Sequence, residues 1–189
     1  MKNNTTRRGV LLGLLGLCLG VVGWLAGVRR GLAKSGASKK GLEPAVRLDW
    51  RPLSLPRDEW KKILPSPAFR VLFEDGTERA YSSPLNEEKK PGTYVCAACF
   101  LPLFSSETKY DSGTGWPSFW AAIEGRVGTK RDFKLILPRT EYHCSRCGGH
   151  QGHVFSDGPK PTGLRYCNNG VALKFIPEGE NLPPLRMGA

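Results

Sequence analysis

The sequence predicts a small, mainly β domain, an antiparallel sheet or barrel-like, with short N-terminal helices and a structural four-cysteine zinc site, preceded by an apolar signal or anchor helix. Three observations carry this expectation. Two CxxC pairs, Cys96 with Cys99 and Cys144 with Cys147, can close one metal shell. Short β-prone runs punctuated by Gly, Pro and Asp fill the chain from Thr93 onward. The first 41 residues differ in composition from everything after them.

At the front, Gly9 to Val28 runs 20 residues without a charge, flanked by arginines, which is a membrane-spanning length. Thr6-Arg7-Arg8-Gly9-Val10-Leu11-Leu12 resembles a twin-arginine export signal, whose pathway carries proteins already folded. Export after folding suits a zinc domain, because metal loaded first shields thiols from mispairing in an oxidising space. A plain signal anchor competes with this reading. Five basic residues from Arg29 to Lys40, against three before the span, favour a cytoplasmic C-terminal side. Orientation therefore stays open, with an extracytoplasmic domain as the expectation. Ser35-Gly36-Ala37 lies too far beyond the apolar core to be an attractive cleavage site, so a retained membrane anchor through residues 9–28 is expected. Cys18 is preceded by Leu17 and reads as a buried apolar thiol. Lys34 to Gly41 reads as a flexible tether, giving a leader over 1–41 and a catalytic domain over 42–189.

The formal charge of +11 invites a nucleic-acid reading, but residues 1–42 hold eight basic residues and no acidic one. The remaining 20 basic residues face 17 acidic ones, a balance that leaves no footprint for a polyanion.

In the domain itself, Pro56 to Leu64 places Pro and acidic residues ahead of an amphipathic turn, predicting one short helix, and Ala68 to Leu72 predicts a second. Thr93 to Cys96, Phe133 to Leu137, His153 to Phe155 and Val171 to Ile176 are the predicted strands. No Gly-rich phosphate loop, paired-carboxylate motif or cysteine-hydrolase signature is present, which removes support for nucleotide and hydrolytic chemistry.

The two CxxC pairs have 44 residues between them, so a shared ion would join distant parts of one domain. Disulfides or a redox dithiol are the competing readings. His150 and His153 follow Cys144 and Cys147 closely and could ligate metal, but Cys96 and Cys99 already complete a tetrahedron. Cys167 is left over. A lone cysteine is more often a small buried hydrophobe than a nucleophile, and a lone Trp116 is more often core than pocket. His143, beside a zinc cysteine, reads as structural.

Three motifs change that weighing: Gly115-Trp116-Pro117-Ser118-Phe119, His150-Gln151-Gly152-His153-Val154-Phe155-Ser156-Asp157-Gly158-Pro159, and Pro161-Thr162-Gly163-Leu164-Arg165-Tyr166-Cys167-Asn168-Asn169. Together with the CxxC pairs, over roughly Trp60 to Pro177, they resemble the B-type methionine-R-sulfoxide reductases. The resemblance implies a catalytic thiolate at Cys167 that attacks the sulfoxide sulfur of methionine-R-sulfoxide, peptide-bound or free, and is left as a sulfenic acid. It implies His150 and His153 as the acid, with His153 the principal donor, and Asn169 to orient a histidine or the substrate. Arg165 would lower the thiol pKa, while Trp116 and Phe119 would wall the substrate pocket.

Departures from the family pattern are also legible. Thr114 stands where many members carry a resolving cysteine, which predicts a one-cysteine cycle completed by an external thiol, from a thioredoxin-like protein or a small molecule. Gln151 stands where Leu is common and Gly170 where Ser is common. The competing class is a zinc-stapled β module that binds a partner without chemistry, since fold alone does not settle function.

Overall fold

In the computed structural model, residues 51–133 and 138–187 are described, and two short helices lead into nine strands. Helix α1 (Arg57–Ile63) follows Pro56, with Asp58 and Glu59 in its first turn and Lys61 and Lys62 in its last, the arrangement the helix dipole favours. Helix α2 (Ser66–Glu74) follows Pro65 and stops where Asp75 adopts a left-handed φ of 52°. Trp60 of α1 stacks on Phe73 of α2, with centroids 5.1 Å apart. Leu72 of α2 comes so close to Gly149 that a side chain there would lie 2.9 Å from its methyl, so α2 seats directly on the second CxxC turn.

The strands form two antiparallel sheets. In the first, β1 (Gly92–Cys96) is flanked by β2 (Pro102–Ser105) and β9 (Leu173–Pro177). The second runs in the order β3 (Lys109–Tyr110), β4 (Ser118–Phe119), β8 (Arg165–Asn168), β7 (His150–Phe155), β6 (Arg139–Cys144), β5 (Val127–Asp132). Between the sheets lies an aromatic layer. Phe104 of β2 stacks on Phe119 of β4 at 4.3 Å, Tyr94 of β1 meets Phe119 edge-on at 4.9 Å, and Tyr142 of β6 meets Tyr166 of β8 edge-on at 5.2 Å. The first two pairs join two sheets that share no hydrogen-bonded strand, and the third lies on the inner face of the second sheet.

Antiparallel β structure and both helices stand as expected, with two corrections. The pairing gives two open sheets among the described residues in place of a barrel-like closure. Of the strand expected over Phe133 to Leu137 only Phe133 is described, following the end of β5 at Asp132 and 70 % exposed; 134–137 lie outside the described residues. Val171 and Ala172 belong to a 3₁₀ turn, and β9 begins at Leu173. Strand β5 was missed because its sequence, VGTKRD, is polar and pairs on one side only, as edge strands do. The apolar run 9–28, its arginine flanks and the tether lie outside the described residues. Among the described residues no helix is long and apolar enough to cross a membrane.

Candidate active site and four-thiol cluster

The two CxxC turns are built alike. At the end of β1, the Cys96 carbonyl accepts from Phe100 N and the Cys96 amide donates to Leu101 O, both at 2.9 Å. At the end of β6, the Cys144 carbonyl accepts from Gly148 N at 2.9 Å and its amide donates to Gly149 O at 3.0 Å. The fifth residue of each turn is left-handed, Phe100 at φ 62° and Gly148 at φ 71°. No disulfide links these cysteines, and all four sulfurs lie within 4.8 Å of one another. The pairs Cys96–Cys147 and Cys99–Cys144 stand 3.7 and 3.5 Å apart. A tetrahedral ion with Zn–S bonds near 2.3 Å requires sulfurs about 3.8 Å apart, so the cluster fits zinc and is too open for disulfides. Burial pushes the Cys96 thiol up, whereas hydrogen bonds from the other three sulfurs pull Cys99 down; a cation is what lets such a group ionise together.

Gln151 explains one departure from the family pattern. It is fully buried, and its Nε2 lies 3.5 Å from Cys96 Sγ, donating to a cluster sulfur in a way Leu cannot. Gln151 is also the extra residue of a bulge. Tyr142 pairs with Gly152, but His143 pairs with His150, so β7 carries one residue more than β6 at this point. On a regular strand two residues three apart face opposite sides. The bulge brings His150 and His153 to one face, with ring centroids 5.5 Å apart.

On that face the active centre assembles by register. Cys167 of β8 stands directly opposite His153 of β7 on one side and Ser118 of β4 on the other. His153 in turn is opposite Glu141 of β6. A cleft of about 130 Å³ opens here, lined by Trp116, Arg139, His153, Phe155, Cys167 and Asn169 among others. It has room for the end of one side chain.

Behind the cleft stand two carboxylates that sequence reading did not single out. His153 Nε2 lies 2.7 Å from Asp132 Oδ2, which also accepts from Arg139 at 2.8 Å. His150 Nδ1 lies 3.1 Å from Glu141 Oε1, and Lys130 approaches the same oxygen at 3.1 Å. His150 is 4 % exposed and sits behind His153, away from the cleft lining. Burial lowers the pKa of His153, partly opposed by its hydrogen bond to Asp132. Burial raises Cys167, opposed by the nearby Arg165 charge and by hydrogen bonds from Thr114 and Arg165.

Arg165, whose charge opposes the rise of the Cys167 thiol, is held by two hydrogen bonds to Asp157 at 2.8 and 2.7 Å and by the Phe155 ring 4.3 Å beneath it. Trp116 lines the cleft, its indole N–H donating to Glu78 O at 3.3 Å. Asn169 lines it too, but its amide binds backbone and no histidine: Oδ1 accepts from Glu78 N at 3.0 Å and Nδ2 donates to Gln151 O at 2.9 Å. Phe119 is corrected outright. It is fully buried in the aromatic layer, because the alternation of β4 that turns Ser118 toward Cys167 turns Phe119 inward. His143 lies outside the cleft, over Gly128.

Glu78 is the other missed residue. Its carboxylate accepts from Gly170 N at 2.5 Å and Val171 N at 3.0 Å, while its backbone holds Asn169 and Trp116. A Cβ on Gly170 would collide with Ser83, so Gly at this position follows from the close approach of the 77–83 segment. No local signal marks Glu78, which lies 91 residues from Asn169.

Residues 64–177 match the SelR domain family. The chain is 52 % identical over 122 residues to the peptide methionine sulfoxide reductase MsrB of Leptospira interrogans, covering 64 % of this chain and 93 % of that protein. It is 53 % identical over 124 residues to the MsrB of Methanosarcina barkeri, covering 65 % and 87 % of the two chains. With the MsrB of Caulobacter vibrioides the identity is 48 % over 139 residues, 72 % of this chain and 87 % of that protein. The matched stretch contains both CxxC turns, the bulged strand and Cys167. By that match, spanning more than half of its length, the chain belongs to the SelR family of B-type methionine sulfoxide reductases.

Proposed function

We propose that this enzyme reduces methionine-R-sulfoxide in peptides and proteins to methionine, with Cys167 as nucleophile and His153 as proton donor. The observation that carries the reading is the cross-strand pairing of Cys167 with His153 at the base of a cleft walled by Trp116. The thiolate attacks the sulfoxide sulfur while the imidazolium protonates the sulfoxide oxygen. The S–O bond to substrate breaks, the hydroxyl passes to Cys167 as a sulfenic acid, and methionine leaves. An external thiol then forms a mixed disulfide with Cys167 and releases water, and a second thiol returns the cysteine. Trp116 offers an indole face to the S-methyl group, which makes epimer choice a matter of shape.

The four cysteines hold zinc as a staple between β1 and β6, one strand from each sheet. Residues 9–28 anchor the domain to a membrane with the catalytic part on the extracytoplasmic side; the support is the uncharged run and its arginine flanks.

The test is turnover of separated R and S epimers of a methionine sulfoxide peptide by the zinc-loaded chain with dithiothreitol, beside Cys167→Ser. Reduction of R alone, lost in the variant, supports the reading. A zinc-loaded folded protein that reduces neither epimer overturns it.

A further inference from the structure

Beside the catalytic cleft lies a second, larger hollow that the sulfoxide chemistry leaves unused. It measures about 610 Å³ and opens where β6 begins and β7 ends, between Pro138, Val154 and Leu164. Arg139 and Phe155 line both hollows, so a single wall of side chains divides them. A polypeptide that inserts one side chain into the cleft has the hollow within reach of its next ones.

The dividing wall is held from both sides. Phe155 stands opposite Arg165 in the β7–β8 ladder, with the guanidinium 4.3 Å from its ring centre. Arg139 donates to Asp132 at 2.8 Å, and Arg165 donates to Asp157 at 2.8 and 2.7 Å. Each cation thus has its carboxylate. Arg139 is the one charged residue lining the hollow among the described residues, and four of the other six are apolar: Pro138, Val154, Phe155 and Leu164. Such a lining suits an apolar guest.

The outer wall is equally firm. Leu164 N donates to Thr162 Oγ1 at 3.1 Å, Gly163 N to Pro159 O at 2.9 Å and Gly158 N to Gly163 O at 3.0 Å, which closes the turn. A Cβ on Gly158 would collide with the Leu164 carbonyl, so the two sides of that turn touch. Val154 packs against the core beneath. Walls fixed in this way spare a guest the cost of ordering them.

Spacing selects which side chain arrives. In an extended peptide, neighbouring side chains point to opposite faces, whereas those two residues apart point the same way and stand about 7 Å from each other. That is the step from one hollow to the next across the Arg139–Phe155 wall.

We propose that the hollow is a second substrate subsite, which takes an apolar side chain two residues from the methionine sulfoxide of an extended polypeptide. Resting on the reductase reading, the subsite deepens it by naming the substrate class: methionine sulfoxide in apolar sequence, which folded proteins bury and unfolded ones expose. Free methionine sulfoxide fills the cleft alone.

The test is the affinity of fluorescein-labelled peptides for the zinc-loaded Cys167→Ser chain, read by anisotropy, which needs no turnover. Three peptides carry one methionine-R-sulfoxide among alanines and have Leu, Ala or Asp at the positions two before and two after it. The Leu peptide is expected to bind about tenfold more tightly than the Ala peptide, the scale of burying part of one leucine. Adding Leu164→Ser removes that advantage and leaves the affinity of the Ala peptide unchanged. Equal affinity for the Leu and Ala peptides, tightest binding of the Asp peptide, or a Leu advantage that survives Leu164→Ser overturns the proposal. So does a Leu164→Ser change in the otherwise unaltered chain that spares the peptides and raises KM for a thioredoxin, since the hollow then serves the reductant. With Cys167 in place, the same preference should appear in KM at constant kcat. A chain that binds the Leu peptide selectively and reduces none of the three sinks the reductase reading while the apolar subsite stands.

Discussion

His153 and Asp132 are joined edge to edge across the second sheet, ring nitrogen to carboxylate at 2.7 Å, with Arg139 holding the other side of the same oxygen. A carboxylate so placed fixes the tautomer and plane of the imidazole and supports its protonated form. Asp132→Asn is expected to lower kcat by about 10- to 100-fold, the scale of a weakened general acid. Because Asp132 raises the His153 pKa against burial, its loss should also shift the acid limb of the pH–rate profile further down. A drop in kcat without that shift would mark Asp132 as a structural residue only.

The two active groups shift in opposite senses, His153 below the ordinary imidazole value of 6.5 and Cys167 above the ordinary thiol value of 9.0. Between those limits the pair holds one proton, and thiolate with imidazolium is a tautomer of thiol with imidazole. kcat/KM should therefore rise with pH to a point below 6.5, stay level, and fall only above 9.0. A profile narrower than this interval, measured with a non-ionising thiol donor, counts against the assignment.

Metal removal should be destructive. The cluster ties β1 of one sheet to β6 of the other, and its binding energy is folding energy. Cys99→Ser, or a strong chelator on the wild type, is expected to cost more than about 3 kcal/mol, read as loss of the thermal transition together with about one zinc per chain by metal analysis. Unchanged unfolding in the chelated protein would remove the staple.

Phe119 separates core from pocket. Its ring contacts Phe104 and Tyr94 and none of the cleft, so Phe119→Ala should cost about 3–5 kcal/mol of stability. KM for a sulfoxide peptide, measured on the folded fraction, should stay unchanged.

A reporter that is active only outside the cytoplasm, fused after residue 45, is expected to be active in cells. A silent reporter with an active cytoplasmic counterpart would place the domain on the other side of the membrane.

Much of this site was legible in the sequence because its parts are short and local. Each CxxC turn is a five-residue device, and His150, His153, Arg165 and Cys167 sit in the motifs that carry the resemblance to the reductase family. What escaped was what the strand register assembles. Asp132 reaches His153 only because β5, β6 and β7 stack in order, and Glu78 reaches Asn169 from a segment with no pattern of its own. Phe119 was misread because, next to a pocket Trp, it looks like pocket; only the alternation of β4 shows that it faces inward. Polar β5 gave no apolar rhythm to read.

The bulge at Gln151 has a consequence for anyone who would move this chemistry to another scaffold. Histidines three apart share a face on a helix, and a regular strand would ask for a spacing of two or four. This strand imitates a helical interval by means of one surplus residue, whose carbonyl takes two bonds from Asn169 and whose side chain leans on the metal cluster. Deleting that residue would leave both imidazoles in the chain and turn one of them out of the site, so a graft copied from the linear motif alone onto a flat strand would inherit the letters without the pair.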